Sequence, residues 1–277
     1  MSIALGVMMN PPHSSPEEWG EKLLALGLRA VVLPCDSRTP DPVVESYLRV
    51  CETLGLIIGE VGAWCNPLSS DPAERVRNIA RCREQLQFAE HIGARCCVNI
   101  LGSEGAETWD GPHIGNLAED AVKRAAESIH TILDGITLNR TRYTLEPMPW
   151  MVPDSPEQYA ELLETVNDER FAVHMDIVNM IYSPRDYFFN RALIDRAFDL
   201  LKGKIRACHV KDIKLENKLT LHLSEVPCSG GVLDIRHYAE RAAAEDADMP
   251  FFIEHLNDWE SYLTAVAAVK KILKAEE

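Results

Sequence analysis

Four hydrophobic segments in the second half of the chain end in a residue that can bind a metal ion: Glu146, Asp176, His209 and Glu254. Three carboxylates crowded into one partly desolvated site would repel one another, so at least one would have to take up a proton. A divalent cation removes this difficulty. Three carboxylate oxygens and one imidazole nitrogen suit Mn²⁺, Mg²⁺, Co²⁺ or Zn²⁺ better than a thiolate-preferring metal. We therefore predict that these residues bind one divalent ion, with Mn²⁺ as the first choice.

The spacing of these residues shows that they do not form a local motif. Successive members are separated by 30, 33 and 45 residues, so only the fold can bring them together. Any one of the acidic residues could instead cap a following helix or pair with a surface Lys or Arg. Four coincident segment ends favour a shared site over four separate surface roles.

The chain alternates short β-branched runs with segments that have apolar residues at helical spacing. The eight predicted strands are Ile3–Met8, Ala30–Leu33, Ile57–Val61, Cys96–Leu101, Arg142–Leu145, Phe171–Met175, Ile205–Val210 and Phe251–Glu254. This alternation predicts an α/β fold, a single (β/α)₈ TIM barrel that forms one domain over residues 1–277. A doubly wound open sheet is the alternative, but no Gly-x-Gly-x-x-Gly follows the first strand.

Helix starts and irregular stretches support this arrangement. Ser15-Pro16, Asp71-Pro72 and Ser155-Pro156 are typical helix starts, and Gly93 is expected to end a long helix over Ala73–Ile92. The long irregular stretches all follow predicted strands; they are Gly102–Pro112, Pro147–Pro153, Ile177–Asn190 and Ile213–Leu233. In a barrel they would cover the C-terminal face, where active sites are built.

Composition excludes several classes of function. The chain has 43 acidic and 28 basic residues, a net charge of −15, which repels nucleic acid and anionic membrane surfaces. No apolar run approaches the roughly 20 residues that span a bilayer, and Met1–Val7 lacks the features of a signal peptide. The eight cysteines form no Cys-x-x-Cys pair, which favours free thiols and a cytoplasmic location.

The sequence resembles the xylose-isomerase-like barrel superfamily, in its sugar phosphate isomerase/epimerase branch, over nearly the whole chain. The resemblance depends on Leu145-Glu146-Pro147, the strand end at Asp176, His209-Val210-Lys211-Asp212 and Ile253-Glu254-His255. The segment Trp64–Pro72 also resembles the loop after the third strand in that family. The resemblance implies that the four residues bind Mn²⁺, Mg²⁺ or a related ion. It also implies that the two glutamates flank the substrate carbon and move its proton.

The sequence departs from the family pattern at several positions. Ketose 3-epimerases usually have a His where this chain has Asn179, and an Arg where it has Lys211 and Lys214. Their Pro-Gly-x-Gly loop is replaced by Pro227–Gly231. The endonuclease IV branch needs further His ligands, and the loop after Asp212 offers only His222. The loop after Asp176 resembles the large subunits of bacterial C-glycoside-cleaving lyases, which act on 3-keto sugars.

The function implied is that of a metal-dependent sugar isomerase or epimerase, acting through an ene-diolate on a small sugar or keto-sugar. Glu146 and Glu254 would move the proton, and Lys211 would stabilise the developing negative charge. The first alternative is a metal-dependent lyase or dehydratase on a keto sugar. The second is a non-catalytic binding or scaffold subunit, and the chain could form a homo-oligomer or need a partner subunit.

Further residues are candidates for substrate binding. Trp64, Trp109 and Trp150 each follow a strand, so their rings could stack on a sugar. His113 and Asn179 lie on loops of the same face. His174 is expected either below the metal or as a satisfied core histidine, and His255 is expected to be structural.

Overall fold

A computed structural model describes residues 3–105 and 107–274 of the chain, so the outer ends of the predicted domain lie outside the described residues. The strands are β1 (Ala4–Val7), β2 (Ala30–Val31), β3 (Ile57–Ile58), β4 (Glu60–Gly62), β5 (Cys96–Asn99), β6 (Tyr143–Leu145), β7 (Phe171–Asp176), β8 (Ile205–Val210), β9 (Asp212–Leu215), β10 (Leu223–Val226) and β11 (Pro250–Ile253). The helices are α1 (Pro16–Ala25), α2 (Asp41–Leu54), α3 (Pro72–Ile92), α4 (Ala121–Leu133), α5 (Pro156–Val166), α6 (Pro184–Phe188), α7 (Asn190–Leu200), α8 (Ile235–Glu245) and α9 (Trp259–Lys274). Two 3₁₀ helices span Ile114–Leu117 and Val178–Met180.

The strands close into a barrel. Seven of them form a parallel sheet in the order β1-β11-β8-β7-β6-β5-β4, and β2 pairs with β3. The remaining gap is bridged by backbone bonds from the Arg29 amide to the Leu5 carbonyl (2.9 Å) and from the Arg95 amide to the Ile58 carbonyl (3.0 Å). β3 and β4 are two halves of one strand interrupted at Gly59. The described part of the chain therefore forms a barrel of eight strands. The predicted (β/α)₈ fold is confirmed.

The predicted helix starts are also confirmed. The side chains of Ser15, Asp71 and Ser155 accept hydrogen bonds from amides of the first helical turn, at 3.2, 2.8 and 3.3 Å. Helix α3 ends at Gly93, whose φ of +73° lies in the left-handed region that glycine adopts without strain.

Two of the stretches predicted to be irregular contain regular structure. Residues 177–190 include a 3₁₀ helix and α6, and residues 213–233 include β10 and most of β9, which form an antiparallel hairpin. The hairpin escapes sequence analysis because β10 is only partly buried, and its short run has no clear alternation of apolar and polar residues.

Two buried tyrosines connect the outer helices to the strand ends that carry the candidate ligands. The Tyr159 hydroxyl, from α5, donates to the Leu145 carbonyl (2.6 Å) and accepts from the Leu145 (3.2 Å) and His174 (3.4 Å) amides. The Tyr238 hydroxyl, from α8, lies 3.0 Å from the Met175 carbonyl oxygen and 3.1 Å from that of His209. These contacts tie β6 to β7 and β7 to β8, where β7 shifts register between Val173 and His174.

All eight cysteines are free thiols, as predicted, and only Cys35 is partly exposed. Burial raises the pKa of the Cys51 and Cys208 thiols to about 12. These cysteines therefore behave as small apolar core residues rather than as nucleophiles.

Among the residues that the structure describes, none of the helices combines the length and apolar character needed to cross a membrane.

Replacing Tyr159 by Phe should lower the free energy of unfolding by about 1–3 kcal/mol, because buried backbone groups of β6 and β7 lose their partner. Urea unfolding followed by circular dichroism measures this loss. The matched control is Tyr182→Phe, at a tyrosine that is 47% exposed, where a change within about 0.5 kcal/mol is expected. Equal stabilities of the two variants would contradict the bridging role of Tyr159.

Candidate metal centre

The four predicted ligands meet at the C-terminal end of the barrel. Glu146 and Glu254 directly follow β6 and β11, Asp176 ends β7, and His209 is the penultimate residue of β8. These strands are neighbours in the sheet. All four residues are buried, with exposures of 4% or less, and one ligand atom from each lies within 4.8 Å of the others.

The orientation of the His209 ring fits metal binding. Its Nδ1 atom lies 2.7 Å from Glu254 Oε2 and 3.4 Å from Glu146 Oε2. Nδ1 is nevertheless buried with no hydrogen-bond partner among the described residues. A ring nitrogen among carboxylate oxygens, in an N/O donor set, suits a divalent cation. These four residues therefore form a candidate site for one divalent metal ion.

Glu60, a residue that the sequence analysis missed, contacts the second ring nitrogen of His209, Nε2. Glu60 lies on β4 and is 1% exposed. Its carboxylate oxygens are both 3.2 Å from His209 Nε2, and its Oε2 is 2.8 Å from His174 Nε2. A carboxylate on the far nitrogen fixes the tautomer and the orientation of a ligating histidine. The signal for Glu60 was a single acidic residue inside the apolar run Ile57–Val61.

His174 lies directly against His209. Its ring makes an edge contact with that of His209, with centroids 4.2 Å apart and an interplanar angle of 78°. It is fully buried and bonded to Glu60. His174 is therefore a fully buried neighbour of His209. Both expectations for it allow this position, and its role stays a prediction.

Lys211 lies inside the site rather than on its rim. The side chain is 2% exposed, and its ammonium group contacts Asp176 Oδ2 and Glu254 Oε1. The residue is two positions after His209, so both side chains point to the same side of the barrel wall. The ammonium group thus places a positive charge between two of the candidate ligands.

The charges in the site shift its pKa values in opposite directions. Burial, with the charges of Glu254 and Glu146, raises the pKa of Asp176 to about 8, although the Lys211 ammonium group opposes this. Burial also favours neutral Glu254, but His209 and Lys211 outweigh it and hold the Glu254 pKa well below its usual range. The pKa of Glu146 is lowered too, because His209 and Lys211 outweigh burial and the repulsion from Glu254. Both glutamates are therefore carboxylates at neutral pH.

A cavity of about 410 Å³ opens above the site. Glu146, His209 and Glu254 lie at its floor, and Trp64 and Trp109 are on its walls. The structure thus brings two of the three predicted tryptophans together with three of the four predicted ligands.

Asn179 contacts the site directly. Its side-chain amide donates to Glu146 Oε1 at 2.9 Å. Ketose 3-epimerases usually have a His at this position, and here Asn179 contacts one of the two glutamates.

Trp150 and His113 are not among the residues that line this cavity. The Trp150 indole donates to the Asp110 carbonyl (2.7 Å), and His113 Nδ1 accepts from the Gly115 amide (3.2 Å) at the start of a 3₁₀ helix. Both contacts organise the loop after β5. A role of either residue in substrate binding remains a prediction.

Two residues at the cavity have left-handed backbone conformations. Trp64 has a φ of +40° and His255 a φ of +56°, and such conformations cluster at functional sites. The Trp64 indole lies against Gly62, where an added Cβ would come within 1.9 Å of the ring nitrogen. His255 is exposed and pairs with Glu225 at 2.8 Å.

A family model described as xylose isomerase-like TIM barrel matches residues 21–275. The chain belongs to this family. Comparison with curated protein sequences gives no match.

Solved structures share the fold along nearly the whole chain. A xylose isomerase-like TIM barrel protein from Mycobacterium smegmatis, in complex with magnesium, is 16% identical with a TM-score of 0.66, covering 99% of this chain and 95% of that one. A 3-keto-D-glucoside 4-epimerase from E. coli is 13% identical with a TM-score of 0.67, covering 97% and 99%. A probable 3-DHS dehydratase from Bacillus anthracis is 13% identical with a TM-score of 0.74, covering 99% of both chains. At these identities the likeness shows the fold alone.

Replacing Glu60 by Gln should weaken Mn²⁺ binding by about 10–100-fold, because His209 loses the carboxylate that orients its ring. Isothermal titration calorimetry with Mn²⁺ measures the affinity. Glu52→Gln, at an exposed position of α2, is the control and should bind as the unaltered chain does. Unchanged affinity in the Glu60 variant would show that His209 does not depend on this support.

Proposed function

We propose that the chain is a divalent-metal-dependent enzyme that moves a proton at the carbon next to the ketone of a sugar, as an isomerase or epimerase. The observation that carries this proposal is the pair Glu146 and Glu254. Both are ionised, both belong to the candidate metal quartet, and both line the cavity above it. A divalent ion held by the quartet would polarise the ketone and the neighbouring hydroxyl of a bound sugar.

The two glutamates share His209 as a neighbour but differ in their second partner. Glu254 has a neighbour at both oxygens, the Lys211 ammonium group at Oε1 and His209 Nδ1 at Oε2. Glu146 receives the Asn179 amide at Oε1, with His209 3.4 Å from Oε2. One carboxylate would remove the proton and the other would return it. Return to the opposite face of the same carbon gives an epimer, whereas return to the neighbouring carbon gives an isomer.

Lys211 would act on charge rather than on the proton. Its pKa is raised well above the usual range because Asp176, Glu254 and Glu146 outweigh the effect of burial. A permanently charged ammonium group in a buried site stabilises negative charge that develops on a nearby substrate oxygen. The walls formed by Trp64 and Trp109 supply apolar faces for a sugar ring.

A lyase is the second candidate, and a second cavity favours it. This cavity, of about 670 Å³, lies between residues 227–230 and α9 and meets the first at Glu254, His255 and Leu256. A substituent on the sugar would fit there while the ring occupies the first cavity. Removal of the proton next to the ketone then breaks the bond to a β-substituent, which leaves with the electron pair and takes up a proton. The fold shared with a dehydratase agrees with this reaction class.

The net charge and the free thiols of the chain bear on its cellular compartment and on its partners. Free thiols favour a reducing compartment such as the cytosol, and the net charge of −15 disfavours nucleic acid as a partner. The substrate is a small sugar or keto sugar.

Replacing Glu146 or Glu254 by Gln should slow proton exchange at the carbon next to the ketone by about 10²–10⁴-fold, because the amide cannot act as a base. The measurement is deuterium incorporation from D₂O, followed by NMR over a panel of ketoses and 3-keto glycosides. Glu52→Gln serves again as the control. Near-normal exchange in either site variant would remove that glutamate from the acid–base pair.

Chelation of metal should abolish the same exchange, and added Mn²⁺ should restore it, because polarisation of the ketone depends on the bound ion. Elemental analysis of the treated and reconstituted protein gives the metal content alongside the activity. Full activity in protein shown to hold no metal would contradict the proposal. Absence of exchange with metal bound, over the whole panel, would favour the binding or scaffold subunit.

A further inference from the structure

The N-terminal end of the barrel carries a cluster of arginines, at the opposite end from the metal centre. Arg95 and Arg142 directly precede β5 and β6, and Arg206 is the second residue of β8. Together with Arg140 they line a cavity of about 300 Å³, which we call the arginine cavity. Four cationic side chains around one cavity are unexpected in a chain with a net charge of −15.

Acidic residues in the cavity do not balance these charges. Its lining includes two, Glu245 and Asp246. Asp246 pairs with Arg95 at 2.9 Å, and the Glu245 carboxylate accepts from the Gly203 amide. The lining therefore has two more positive than negative groups.

The other three arginines donate to backbone carbonyl oxygens. Arg142 Nη1 donates to Thr141 (2.7 Å), Arg206 Nη1 to Ile205 (2.9 Å) and Arg140 Nη2 to the Glu90 carbonyl (2.6 Å). A guanidinium group has five N–H donors, so each of these groups retains donors for a further acceptor.

Two polar atoms at the start of β6 have no hydrogen-bond partner in the part of the chain that the structure describes. They are Arg142 Nε and Thr141 Oγ1, and both are buried. A buried unpaired donor costs about 1–3 kcal/mol. Of the two residues, Arg142 lines the arginine cavity, and an acceptor bound beside it, a water or an anion, would remove this cost.

The guanidinium groups are close enough to repel one another. Burial lowers the pKa of Arg206, and the charges of Arg142 and Arg95 lower it further. An anion bound among them would remove this repulsion and form charge-assisted hydrogen bonds. Phosphate suits such a cluster, because several oxygens on one centre can each accept from a different guanidinium fork.

We propose that the arginine cavity binds a small polyanion that carries phosphate groups, at a site separate from the metal centre. Its volume, at the lower limit of ordinary ligand pockets, suits a phosphate ester or a diphosphate rather than a polypeptide segment. This site does not depend on the proposed sugar chemistry.

Pyrophosphate is the probe, titrated calorimetrically into the full chain in buffer with EDTA, so that no metal at the C-terminal site binds it. At an ionic strength of about 0.15 M, saturable binding with one pyrophosphate per chain is expected. Arg142→Gln and Arg206→Gln should each weaken this binding by about tenfold or more. Arg140→Gln, at an exposed side chain that leaves the barrel wall intact, should also weaken it.

Arg191→Gln is the matched control, since Arg191 is a 65% exposed arginine paired with Asp234 outside the cavity. It should bind pyrophosphate as the unaltered chain does. Absence of saturable binding, or equal affinity in Arg140→Gln, Arg206→Gln and the control, would overturn the proposal. Binding of citrate in place of pyrophosphate would overturn the assignment to phosphate.

Discussion

Charge balance in a buried space is the constraint on which the rest of this structure depends. Glu60, Glu146, Asp176 and Glu254 are all exposed by 4% or less at one end of the barrel. Four carboxylates cannot be desolvated together unless cationic or hydrogen-bonding groups offset them. His174, His209 and Lys211 meet this requirement: the histidines share Glu60, while Lys211 separates Asp176 from Glu254. The imidazole that faces the carboxylates is thereby also oriented for a metal ion.

The balance of buried charges depends on the exact positions of these side chains, and the barrel strands fix those positions. Ligands separated by tens of residues meet because β6, β7, β8 and β11 are adjacent parallel strands whose carboxyl ends share one edge. The hydroxyls of Tyr159 and Tyr238 hold these strand ends from outside. Both contacts lie close to the register shift in β7, and His174 and Asp176 follow that shift in the strand. Helix packing, strand register and the geometry of the ligands are therefore coupled, as a preorganised site requires.

Much of this could be predicted from sequence, for a physical reason. A hydrophobic strand that ends in an ionisable residue places that residue at the barrel rim. Each of Glu146, Asp176, His209 and Glu254 could therefore be predicted from its own strand alone. Glu60 was not, because it lies within its strand, and its partners come from β7 and β8, which are distant in sequence. Lys211 follows His209 by two residues in the sequence, but nothing in the sequence indicates which carboxylates its long side chain reaches. The hairpin of β9 and β10 was missed because its partly exposed strands lack a hydrophobic pattern.

The indole of Trp64 lines the cavity above the candidate metal centre, and it lies against Gly62, which does not line that cavity. A single methyl group at residue 62 would occupy the space of the indole ring and push it elsewhere. The residue at position 62 thus affects the width of the cavity, although it lies on β4 and does not belong to the candidate metal quartet. A side chain at residue 62 would therefore change the shape of the cavity while leaving the four candidate ligands unaltered.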